Sequence, residues 1–95
     1  MIDLQVYVKT ACASCARSRA LAREIAREFQ QVQVEIIEIE ALAAQDWPEA
    51  VFATPTWLWN GRRYCLGTPD PVLLRNAIAH SLSQSSNTSS PKGLL

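Results

Sequence analysis

The chain has 95 residues, 48% hydrophobic and 19% charged, with a formal net charge of zero. That length sets a single small domain, near the lower size at which one core holds without help. The charge balance argues against nucleic acid or an anionic membrane as partner, and no apolar run approaches the roughly 20 residues that span a bilayer. The opening Met1-Ile2-Asp3-Leu4 lacks a basic segment followed by an apolar one, so no signal peptide is expected and a cytoplasmic location is the default.

Residues 2–9 alternate as a strand, with Leu4, Val6 and Val8 on one face and Gln5 and Tyr7 on the other. The strand runs into Lys9-Thr10-Ala11-Cys12-Ala13-Ser14-Cys15, and from Cys12 or Ala13 to Phe29 the period becomes helical. Leu21, Ile25 and Phe29, flanked by Ala22 and Ala26, form a core stripe, while Arg19, Arg23 and Arg27 form a second stripe read as a solvated face. A β-branched run over residues 32–40 is the next strand. Its paired Ile36-Ile37 breaks the alternation, as a strand buried on both faces or a bulge would. Strand, helix, strand is a βαβ unit, hence a parallel pair with a right-handed crossover.

Asp46-Trp47-Pro48-Glu49 predicts the start of a short helix, with Asp46 as cap. Residues 56–60 and 62–66 read as two strands joined by Asn60-Gly61, a type I′ hairpin turn. Asp70 and Pro71 cap and open a last helix over residues 72–82, with Leu74, Ile78 and Leu82 as its stripe. Residues 83–95 are polar until Leu94-Leu95 and are expected to be a disordered tail behind a domain spanning residues 1–82.

The chemistry concentrates at Cys12 and Cys15. Two residues separate the thiols at a strand-to-helix junction, a spacing that suits either a disulfide or a shared metal ion. Unpaired N–H groups and the positive end of the helix dipole stabilise a thiolate at the first turn, which favours Cys12 as the reactive sulfur. Lys9 and Arg17 add positive charge nearby, and Ser14 offers a hydrogen bond. A metal-binding or metal-delivery module is the alternative, because soft thiolates suit Cu(I) or Zn; Cys65 and His80 are the remaining soft donors. A third reading is an interaction domain in which the dithiol is vestigial or regulatory. Cys65 is expected to pack as a small apolar residue, and Trp57 and Trp59 to share a core-facing side of their strand.

Taken together, the C-x-x-C after the first strand (Cys12, Cys15), Thr54-Pro55-Thr56 before the third strand and Gly67-Thr68-Pro69 before the last helix resemble the thioredoxin-like superfamily, at the size of its small glutaredoxins. The resemblance covers residues 2–82. It implies an α/β, thioredoxin-like fold: a four-stranded mixed sheet in the order β-α-β, short α, β-β-α, with helices on both faces. It implies thiol–disulfide exchange, with Cys12 attacking and Cys15 resolving, and a cis Thr54–Pro55 peptide beside the dithiol. Lys9, Thr54, Pro55 and Gly67 would then line the substrate site. Neither a cofactor nor a metal is expected. The partners implied are a disulfide-bearing protein or small thiol and a separate reductase, acting on a monomer. The chain departs from thioredoxin in having no Asp or Glu in residues 5–8, and from glutaredoxins in lacking paired glycines at residues 67–70.

Overall fold

The computed structural model describes residues 2–88. Its elements are β1 (Ile2–Val8), α1 (Ala13–Glu28), β2 (Val32–Glu38), β3 (Thr56–Trp59), β4 (Arg62–Leu66) and α2 (Pro71–Thr88). The strands form one mixed sheet in the order β2-β1-β3-β4, with β1 parallel to β2 and antiparallel to β3, and β3 antiparallel to β4. β1 and β3 are the inner strands, and Leu4, Val6 and Val8 of β1 are fully buried.

Leu4, Val6 and Val8 meet Leu21, Ala22 and Ile25 of α1, Leu74 and Ile78 of α2, and Trp57 of β3 in the main core. Both helices therefore cover the same face of the sheet. Tyr7, on the face opposite Leu4, Val6 and Val8, is also buried; it joins Ile39, Val51 and Leu58 in a second cluster. Ile36 packs against the first cluster and Ile37 against the second, and the β1–β2 register is unbroken, so the doubled isoleucine marks a two-sided strand.

The second face is where expectation and structure part. The short α-helix expected after Asp46 does not form, and the face is covered by two 3₁₀ turns, Ile39–Ala41 and Ala44–Asp46, and irregular chain. Asp46 ends a turn instead of capping a helix. Pro48 and Pro55 bracket a stretch too short for a stable α-helix, and both remove N–H donors.

Elsewhere the local signals hold. Asn60 and Gly61 both take positive φ (51° and 85°), as a type I′ turn requires. The Asn60 Oδ1 accepts the Asp3 N–H at 2.8 Å, and the Asp3 carbonyl accepts the Asn60 N–H at 2.8 Å, which pins the hairpin to the start of β1. Asp70 Oδ1 caps α2 by accepting the Val72 and Leu73 N–H groups at 2.9 and 3.0 Å. That helix runs beyond Leu82 to Thr88, and the rest of the expected tail lies outside the described residues. Arg75 of α2 reaches Glu24 and Glu28 of α1 at 2.9 and 2.7 Å, joining the two helices across their surface.

Candidate active site

Cys12 is the N-cap of α1. Its backbone is extended (φ −135°, ψ 110°), and its Sγ accepts the Cys15 N–H at 3.1 Å. The sulfur thus occupies the position a serine or aspartate oxygen takes in an ordinary cap, where helix N–H groups converge on an electron-rich atom. Cys12 and Cys15 are bridged as a disulfide, with Cα atoms 5.1 Å apart. Their environments differ: Cys12 is half-buried at the rim, whereas Cys15 is fully buried in the main core. One sulfur can meet another molecule and the other cannot.

The loop before Cys12 is fastened from the end of β2. Glu40 accepts the Thr10 N–H at 3.1 Å and its hydroxyl at 2.8 Å, and these bonds, with Lys9 and Arg19 nearby, hold the Glu40 carboxyl below the usual carboxylate range. Arg19 pairs with Glu38 at 2.9 Å and donates to the Lys9 carbonyl at 3.2 Å. Ala11 sits between these anchors and the dithiol in the left-handed region, at φ 55°. The Lys9 side chain is exposed.

The Thr54–Pro55 peptide is cis, and Pro55 is buried. Tyr7 pairs with Thr56 in the β1–β3 register, so Pro55 lies one step on, beside the end of β1 that leads to the dithiol. Gly67 joins it: its N–H donates to the Pro55 carbonyl at 2.8 Å, at a φ of 85° that favours glycine, and a Cβ there would meet no atom within 4 Å. Thr54, Pro55, Gly67 and the cysteines are thereby brought to one end of the sheet.

Thr68 closes the site from behind. Its Oγ1 donates to the Ser14 carbonyl at 2.8 Å, and the same oxygen lies 2.8 Å from Ser18 Oγ and 3.2 Å from Ser14 Oγ. Ser18 is fully buried and accepts the Trp57 indole N–H at 3.0 Å. Beside these hydroxyls an open groove of about 440 Å³ runs between α1 and the start of α2, with Arg17 and Glu24 on its wall.

The comparisons bear on the architecture. No protein-family model matches the sequence, and no curated relative does. Solved structures do match. Mitochondrial thioredoxin 3 from Saccharomyces cerevisiae, in its oxidized form, aligns with a TM-score of 0.66 at 16% identity, covering 83% of this chain and 77% of that one. The germline-specific thioredoxin Deadhead of Drosophila melanogaster gives 0.66 at 20% identity over 83% and 79%, and the Malassezia sympodialis thioredoxin Mala s 13 gives 0.64 at 19% over 83% and 73%. The fold is thioredoxin-like.

Within this thioredoxin-like frame the remaining candidates fall into place. Cys65 packs against the main core, and burial pushes its thiol pKa up, as suits an apolar filler. Trp57 is fully buried, and Trp59 packs on the same cluster while stacking on Tyr64 at 5.4 Å. His80 is exposed on α2, and among the described residues no three His, Cys, Asp or Glu side chains gather as metal ligands. Ser14 bonds Thr68 and not a sulfur. Of the Arg stripe, Arg23 and Arg27 are exposed as expected, while Arg19 braces the dithiol loop. Ser18, Glu38 and Glu40 have no role in the sequence reading, and Thr68 enters it only inside Gly67-Thr68-Pro69, with no role of its own. A serine inside an apolar helical stripe is a faint signal for Ser18; the others depend on tertiary placement.

Proposed function

We propose that the protein is a small thiol–disulfide oxidoreductase that exchanges its Cys12–Cys15 pair with disulfides of proteins or small thiols. The observation that carries this reading is the asymmetry of the pair: a half-buried sulfur capping a helix, bridged to a fully buried one a turn inside. In the reducing direction the Cys12 thiolate attacks a substrate disulfide, forming a mixed disulfide and releasing one substrate thiolate, which takes a proton. Cys15 then gives up its proton, attacks Cys12 Sγ and releases the second thiol. The substrate gains two electrons and two protons, and the bridge re-forms.

The Cys15 N–H supports the first step by stabilising negative charge on Cys12 Sγ, and burial protects Cys15 until the mixed disulfide is in place. In this reading Thr54, Pro55 and Gly67 border the bound substrate and Lys9 favours an anionic approach. The cytoplasm is the proposed setting and a monomer the proposed state. The chain holds three glycines and no glycine-rich nucleotide loop, so a separate reductase or small thiol is proposed to restore the dithiol, a glutaredoxin-like role in electron transport.

Equilibration in buffers of defined thiol–disulfide ratio, followed by alkylation and mass measurement, tests this. A reversible two-electron transition that disappears in Cys15→Ser, with a mixed disulfide accumulating on Cys12, is the expected result. No transition in the wild-type protein sinks the reading.

A further inference from the structure

Four hydrogen-bonding groups behind the dithiol form a chain with one direction. The Trp57 indole N–H can only donate, and it donates to Ser18 Oγ at 3.0 Å. The single Thr68 hydroxyl proton is committed to the Ser14 carbonyl at 2.8 Å. Ser18 must then be the donor in its 2.8 Å contact with Thr68, and Ser14 the donor at 3.2 Å. The Ser14 carbonyl and the Cys15 N–H are two ends of one planar peptide unit. That N–H points at Cys12 Sγ, 3.1 Å away. Every link, from the indole through two hydroxyls and one peptide group, turns a proton toward the Cys12 sulfur.

We propose that Thr68 is a positioning residue for Cys12: its hydroxyl orients and polarises the Ser14–Cys15 peptide so that the Cys15 N–H stabilises the Cys12 thiolate. This rests on the reading of Cys12 as the attacking thiol. A planar peptide cannot turn its N–H away while its carbonyl is held, and a carbonyl that accepts a hydrogen bond makes the N–H of the same unit a stronger donor. All Asp and Glu side chains are exposed, so the polar support behind Cys15 comes from neutral hydroxyls and an indole. It survives in a buried setting because each member has a partner: no buried side-chain N or O atom among the described residues lacks one.

A strengthening of roughly a quarter on a bond to a charged sulfur corresponds to about a threefold change in ionisation constant. Thr68→Val keeps the shape and removes the hydroxyl. It is expected to raise the Cys12 pKa by about 0.5, read as the pH dependence of alkylation of the reduced protein, so alkylation below the pKa slows about threefold. At a pH where Cys12 is ionised, the couple becomes more reducing by about 14 mV, the same threefold converted at about 30 mV per tenfold. Thr68→Ser restores both values. In Thr68→Val the Ser18 hydroxyl can swing to the carbonyl four residues back, which is Ser14, and partly replace Thr68. Thr68→Val/Ser18→Ala closes that route and gives the full effect.

Cooperative unfolding is checked first for each variant, and if the double variant does not fold, the Thr68→Val and Thr68→Ser pair carries the test. An unchanged Cys12 alkylation profile in folded Thr68→Val, with the double variant also unchanged if it folds, overturns the proposal while leaving disulfide exchange intact. A wild-type protein with no reversible transition removes the exchange reading, and the alkylation comparison still decides the role of Thr68.

Discussion

Replacing Ser18 with alanine probes the least expected feature of the core. The hydroxyl sits in full burial between the Trp57 indole N–H at 3.0 Å and Thr68 Oγ1 at 2.8 Å. Its removal leaves the indole N–H of a fully buried Trp57 without a partner, a loss of about 1–3 kcal/mol. Alanine returns about 0.5 kcal/mol through better helix propensity, for a net destabilisation of about 1–2 kcal/mol. For a domain of this size each kcal/mol lowers Tm by about 4–8 °C, so a fall of about 5–15 °C is expected. Urea denaturation of the wild type, Ser18→Ala, Trp57→Phe and the double variant completes a cycle. If the cost lies in the orphaned indole, Ser18→Ala in the Trp57→Phe background costs almost nothing, and the coupling is about 1–2 kcal/mol. A Ser18→Ala cost below about 0.5 kcal/mol, or an equal cost in both backgrounds, refutes this account.

Three further outcomes are expected. Glu28, held below the usual carboxylate range chiefly by its hydrogen bond to Arg75, and Glu40, held down by Thr10, contribute stability that is present above their unfolded pKa of about 4.3 and lost as pH falls through their lower folded values. The denaturation midpoint should therefore decline below about pH 4.5, with a shallower decline in Glu28→Gln/Glu40→Gln; parallel declines would contradict the assignment. Gly67→Ala and Ala11→Gly act in opposite directions at positive φ, the first destabilising and the second stabilising by about 1 kcal/mol in urea melts, since no clash meets a Cβ at Gly67. Asp70→Ala removes the α2 cap and costs about 1 kcal/mol, while Asp70→Asn retains most of the stability.

The parts of this architecture that could be read from the chain are those with a period or a local backbone demand. Alternation marked β1, the Leu21–Ile25–Phe29 stripe marked α1, and Asn60-Gly61 marked a turn that only positive φ can make. The dithiol was legible because its chemistry follows from spacing and from the start of a helix. Alternation put Tyr7 on the second face of β1 but carried no information on which residues cover it there. Asp46-Trp47-Pro48-Glu49 misled because a cap sequence cannot by itself hold a helix in so short a stretch. Ser18, Thr68 and Glu40 act through partners 30 to 54 positions away (Glu40 on Thr10, Thr68 on Ser14), and single-sequence patterns carry no such pairing.

The cover of the sheet's second face joins mechanics to reactivity. Of residues 39–54 only Ile39 and Val51 are buried, so few apolar groups resist local opening there. Glu40 belongs to that cover and also grips Thr10. A fluctuation that lifts the cover therefore slackens the backbone two residues ahead of Cys12 without disturbing α1, whose hold on Cys15 comes from the opposite face. Both sulfurs stay on the main core, joined by their bridge, while the backbone leading up to Cys12 is fastened through Glu40 to the thinner cover of the other face.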